Sequence, residues 1–116
     1  FRKSAYYKTC GINPILTSAV DQDLYLKLYE TGSFKFVKKP LYFYRYNIKG
    51  VSQDKYKKQE LVNNWHIVLR DTIKRRNISK LYHLDPDSIS NLPEFIYKKQ
   101  NSIFGKLKRK IRWWIY

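Results

Sequence analysis

Residues 17–32, TSAVDQDLYLKLYETG, constrain the fold most strongly because their apolar side chains recur at helical spacing. Val20, Leu24 and Leu28 are each one turn apart, which places them along one side of an amphipathic helix. Gly32 follows the last apolar residue and predicts the C-terminal end of this helix. The segment therefore predicts a helix that buries one side against another part of the protein.

Two aspartates, Asp21 and Asp23, stand at the start of this helix in a chain whose net charge is +15. At about 100° per residue, their side chains lie about 200° apart around the helix axis, so they cannot both face one site. One interpretation is structural: Thr17 or Ser18 caps the helix, and Asp21 occupies the capping-box position after Ser18. The other is catalytic, because an ionised carboxylate in a cleft can act as a general base. The spacing leaves both interpretations open.

The rest of the sequence alternates helix, strand and turn patterns. Apolar residues at every second position predict strands, whereas a three-to-four-residue period predicts helices. In chain order, we predict a helix at 3–9, strands at 34–38 and 41–46, a helix at 55–77, a turn region at 83–94, and a helical C-terminal segment broken near Gly105.

The composition narrows the class of partner. The chain has 24 Lys and Arg against 9 Asp and Glu, which favours nucleic acid, phosphorylated small molecules or an acidic membrane surface. A single cysteine excludes an internal disulfide framework, and no run of about 18 apolar residues predicts a membrane span. Because the chain contains no methionine, we expect further residues before Phe1 in the intact protein.

The C-terminal segment combines an apolar side with a basic side. This combination, with tryptophans near its end, is typical of a helix that lies on an anionic membrane. The alternative is that the helix packs back on the domain and its charges are solvated. The residues predicted to contact the membrane are Lys106, Lys108, Arg109, Lys110, Arg112, Trp113 and Trp114.

Two stretches in order, FRKSAYYKTCGIN and SAVDQDLYLKLYETGSFKFVKKPLYFYRYNIKGVSQ, resemble the C-terminal part of the catalytic domain of family 2 glycosyltransferases, of the bacterial cell-surface polysaccharide type. The resemblance covers residues 1–53, and residues 54–116 would form a helical extension with a basic amphipathic end. It implies an α/β fold: the C-terminal portion of a Rossmann-like GT-A domain for nucleotide-diphospho-sugars, followed by a helical tail.

The resemblance also implies roles for individual residues. Asp21 matches the family's general base, which deprotonates an acceptor hydroxyl in an inverting transfer. Asp23 matches a structural position of the same motif within the donor and acceptor site. Arg45, Asn47 and Ser52 match the strand end and the loop that close over the donor diphosphate.

The sequence departs from the family pattern at three positions. Val20 stands where an acid is usual, and Lys27 replaces an arginine, which keeps the charge but loses the bidentate fork. Asn47 replaces a histidine and would be a weak ligand for Mg²⁺ or Mn²⁺. The resemblance implies that residues upstream of Phe1 supply most of the ligands of this divalent cation. We therefore expect the chain alone to be inactive and the intact protein to be a hexosyltransferase.

The expected partners are a nucleotide-diphospho-sugar and a glycan or lipid-linked acceptor, at the cytoplasmic face of the plasma membrane. One alternative is a nucleic-acid-binding module, because YFYRY and RWWIY interleave aromatic and basic residues. No RNP-type sequence or zinc pattern supports it, so nucleic acid is the less favoured partner. The other alternative is a peripheral membrane protein whose active part is the C-terminal helix.

Overall fold

The computed structural model describes residues 1–44 and 57–115, with side chains described as far as residue 110. This part of the chain is helical, and its only β-type pairing is an isolated antiparallel bridge between Leu81 and Leu84. The elements are α1 (Lys3–Tyr6), α2 (Val20–Thr31), α3 (Lys58–Arg75), a 3-10 turn (Pro86–Ser88), α4 (Leu92–Asn101) and α5 (Ile103–Ile115).

The predicted α/β fold, a portion of a Rossmann-like GT-A domain, is wrong for the described residues. The strands predicted at 34–38 and 41–44 are irregular chain, and positions 45–46 lie outside the described residues. Alternation of Phe34 and Phe36 produced the strand prediction, but these side chains are 58% and 80% exposed. A strand is stabilised by backbone pairing and by a buried face, and the described residues supply neither here.

Helix α2 confirms the predicted helix but not the predicted cap. It runs from Val20 to Thr31, and Gly32 is its C-cap, as the sequence indicated. Its N-cap residue is Ala19, which lies in the left-handed region at φ 59° and makes no side-chain cap hydrogen bond. The predicted capping box from Ser18 is therefore wrong, because the Ser18 hydroxyl is bonded to a different helix.

The chain divides into two compact units, residues 1–68 and 69–116, with the boundary inside α3. In the first unit, Leu16, Ala19 and Val68 form a buried cluster. The partly buried side chains of Leu61 and Trp65 pack against it. This packing holds the segment before α2 against α3. Helix α3 confirms the helix predicted at 55–77 over Lys58–Arg75.

In the second unit the side chain of Leu92 is fully buried. Ile89, which follows the 3-10 turn, is buried as well. Asp85 caps the 3-10 turn by accepting a hydrogen bond from the Asp87 N–H, and Asn91 caps α4 in the same way. The Asp85 cap starts the 3-10 turn within the turn region predicted at 83–94, and the Asn91 cap starts α4 at Leu92, before the predicted end of that region.

The C-terminal helical segment is broken at Ser102, three residues before the predicted position. Gly105 lies inside α5, where a Cβ atom would stand 2.4 Å from the Lys99 carbonyl oxygen. The glycine therefore permits a close approach between the first turn of α5 and the end of α4, and it does not terminate a helix.

Candidate functional site

A cavity of about 780 Å³ lies at the N-terminal end of α2, and we call it the α2 cavity. Residues 17–22 line one part of it, and the first turns of α3 line another, with Glu60 and Trp65 among them. Tyr44 and Lys57 also contribute to the lining. All of these residues belong to the first compact unit. Ala19 is part of its core cluster, and Leu61 and Trp65 pack against that cluster.

The two aspartates of α2 have opposite environments, as helix geometry predicts for residues two apart. Asp21 is exposed and lines the α2 cavity. Asp23 is only 1% exposed, and its Oδ2 lies 2.7 Å from the Nζ of Lys27, itself 4% exposed. The Asp21 carboxylate is therefore accessible to a ligand. The Asp23 carboxylate instead forms a buried ion pair with Lys27, one turn further along the helix.

The Asp23–Lys27 pair also fixes the loop before α2. Asp23 Oδ2 accepts a hydrogen bond from the Asn13 backbone N–H at 3.3 Å, and Lys27 Nζ donates to the Gly11 carbonyl oxygen at 2.9 Å. The second oxygen of Asp23, Oδ1, is buried and has no hydrogen-bond partner among the described residues. These contacts give Asp23 a structural role, and its donor or acceptor role stays a prediction.

Asn64 of α3, which no sequence pattern identified, does not line the α2 cavity but bonds two residues that do. Its side chain is 6% exposed, and Nδ2 lies 2.8 Å from Ser18 Oγ and 3.0 Å from Thr17 Oγ1. The same amide group donates to the Glu60 carbonyl oxygen at 3.0 Å, and the Thr17 hydroxyl donates to the Glu60 carboxylate. A polar residue on the apolar side of α3, between Leu61 and Val68, was the available sequence signal.

The other residues predicted for the donor site lie outside the described residues: Arg45, Asn47 and Ser52. Within the described ranges, no group of three or more His, Cys, Asp or Glu side chains could hold a metal ion. The divalent cation and the weak metal contribution of Asn47 therefore stay predictions. The sequence DQD at 21–23 supplies no metal pair, because the buried Asp23 carboxylate is bonded to Lys27.

On α5, Lys106, Lys108, Arg109 and Lys110 are exposed, as the membrane prediction requires. Ile103, Phe104 and Leu107 are exposed as well, at 84%, 83% and 54%. The structure does not describe the side chains of Arg112, Trp113 and Trp114, so their membrane contacts stay predictions. No helix in the described part of the chain is long and apolar enough to cross a membrane.

Comparison with known proteins gives one relative. Over 102 residues the chain is 28% identical to the chondroitin synthase of Pasteurella multocida (strain Pm70). This match covers 85% of the chain and 10% of that protein. No protein-family profile and no solved structure matches the chain. The similarity suggests a distant relation to a glycosyltransferase, and it reaches beyond residues 1–53. The chain spans about a tenth of the length of this relative.

Proposed function

We propose that this chain is part of a glycosyltransferase that transfers a sugar from a nucleotide-diphospho-sugar to a glycan acceptor in polysaccharide synthesis. The observation that carries the proposal is the exposed Asp21 carboxylate on the wall of the α2 cavity. The similarity to a chondroitin synthase supports the reaction class. Because the chain spans a small part of that relative, the proposed activity is that of the intact protein.

In the proposed reaction Asp21 acts as the general base. Its carboxylate takes the proton of an acceptor hydroxyl while the hydroxyl oxygen forms a bond to the anomeric carbon of the donor sugar. The bond from that carbon to the diphosphate oxygen breaks at the same time, and the nucleoside diphosphate leaves with the bonding electrons. Attack opposite the leaving group inverts the anomeric centre.

The lining of the α2 cavity suits the acceptor better than the donor. Two of its described lining residues, Asp21 and Glu60, carry carboxylates, and one, Lys57, carries a positive charge. Among these described residues the carboxylates exceed the positive charges by one, which suits a neutral sugar hydroxyl better than a diphosphate. Trp65 provides an aromatic surface for the apolar face of a sugar ring, and 780 Å³ lies within the usual range of small-molecule sites.

Replacement of Asp21 by asparagine in the intact protein tests the proposal. We expect sugar transfer to fall about 100- to 10,000-fold, the contribution of a positioned general base, while the affinity for the donor stays unchanged. The matched control is Glu30→Gln, which removes a carboxylate from the same helix outside the cavity lining. Transfer by the Asp21→Asn protein within about threefold of the parent rate would exclude Asp21 as the base.

A further inference from the structure

Helix α5 leaves an apolar side uncovered in the second unit. Ile103, Phe104 and Leu107 are more than half exposed, and at about 100° per residue they fall within a sector of about 100° on the helix. Most soluble proteins do not expose large apolar side chains as a contiguous group unless the group contacts a partner. We call these three residues the apolar side of α5.

The contact between α5 and α4 does not cover this side. Gly105 is the residue that approaches α4, since a Cβ atom there would lie within 2.4–2.6 Å of the carbonyl oxygens of Lys99 and Gln100. Gly105 is about 200° from Ile103 around the helix axis. Helix α4 therefore packs near the opposite side of α5.

The charge around the apolar side indicates what covers it. After Glu94 the sequence contains seven Lys and Arg residues and no Asp or Glu. A second copy of the chain would bring two strongly basic surfaces together, which is unfavourable. Nucleic acid would satisfy the charge but would leave the apolar side exposed. A bilayer with anionic headgroups satisfies both requirements, because apolar residues enter the acyl boundary while basic residues stay at headgroup level.

We infer that α5 lies in the interface of an anionic lipid bilayer. Its apolar side enters the acyl boundary, and Lys106, Lys108 and Lys110, which flank that side, contact the headgroups. Arg109 lies one turn from Gly105, on the side toward α4, and adds its charge at longer range. Trp113 and Trp114 add residue types that favour the same interface. The inference is independent of sugar transfer, because it concerns only the second unit.

Vesicle co-sedimentation of the intact protein tests the inference, using phosphatidylcholine vesicles with and without phosphatidylserine. We expect binding to the vesicles that contain phosphatidylserine and little binding to phosphatidylcholine alone. The variant K106Q/K108Q/R109Q/K110Q should bind at least a hundredfold more weakly, since each basic residue near an anionic surface contributes about fivefold. The variant F104S/L107S should lose most of the binding that persists at high salt.

The matched control is K8Q/K35Q/K38Q/K39Q, which removes the same charge from exposed lysines of the first unit. It should bind the vesicles like the parent protein, and circular dichroism should show unchanged helix content in every variant. Equal losses in both quadruple variants would mean that net charge alone drives binding, and would overturn the inference. The inference also fails if F104S/L107S binds like the parent, or if only single-stranded DNA binding responds to the α5 substitutions.

Discussion

Charged residues are usually exposed and large apolar residues are usually buried, and the start of α2 and helix α5 depart from this rule in opposite ways. At α2 a charged pair, Asp23 and Lys27, is buried, whereas on α5 large apolar residues are exposed. Both departures are uncommon in soluble proteins, where charges are outside and apolar clusters are covered. The buried charges are paired within the chain, so they explain how the loop and α2 are held together. The apolar side of α5 has no cover within the second unit, and this exposure is the basis of the inferred contact with a lipid bilayer.

Asp23 provides the largest expected effect on stability. Replacement of Asp23 by asparagine leaves the Lys27 ammonium buried without its counter-charge, so we expect the free energy of unfolding to fall by about 3–5 kcal/mol. Chemical denaturation of the intact protein measures this change. The double variant Asp23→Asn/Lys27→Met should recover part of the loss, because it removes the unpaired charge as well.

The Asp21→Asn protein is the matched control for that experiment. Its side chain is exposed two residues earlier on the same helix, so its stability should change by no more than about 0.5 kcal/mol. Equal destabilisation by the two substitutions would remove the distinction between a structural and an accessible aspartate.

Asn64 should show an intermediate effect. Asn64→Ala removes the buried amide that bonds Thr17 and Ser18, and we expect the free energy of unfolding to fall by about 1–3 kcal/mol. Asn63→Ala is the control, because Asn63 is the exposed neighbour on α3 and bonds only across one turn to Gln59 among the described contacts. If the two variants are equally stable, the polar contacts between α3 and residues 17–18 do not contribute to the fold.

The Glu94–Lys98 ion pair should make the smallest contribution to stability, although it has the same spacing and length as the buried Asp23–Lys27 pair. Lys98 Nζ lies 2.7 Å from Glu94 Oε1, but the two side chains are 73% and 53% exposed, against 4% and 1% for Lys27 and Asp23. The hydrogen bond from Lys98 and then its charge lower the pKa of Glu94 below 4.5. A lowered pKa in the folded state stabilises the protein above pH 4.5, and this stabilisation is lost as the pH falls through the folded-state pKa.

An NMR titration of the Glu94 carboxyl carbon measures this effect directly. In Lys98→Gln its pKa should rise toward 4.5, and the stabilities of variant and parent should converge at lower pH. An unchanged Glu94 pKa in the variant would show that Lys98 is not the cause.

The sequence predicted elements whose pattern is local. The end of α2 at Gly32, most of α3 and the separation of Asp21 from Asp23 follow from a period of 3.6 residues and were found in the structure. The strand predictions failed at Phe34 and Phe36, because alternation specifies a strand only where backbone partners and a buried face exist. The capping box failed because Thr17 and Ser18 are bonded to Asn64, 47 and 46 residues away.

The sequence by itself determined the helices, the strongly basic charge and the sides on which apolar residues recur, because these depend on neighbours within one or two turns. Only the tertiary structure decided which aspartate is buried, which residues form the α2 cavity, and that Asn64 holds the segment before Asp21. Burial and long-range hydrogen bonds depend on which segments meet in space, and local spacing carries no information about that.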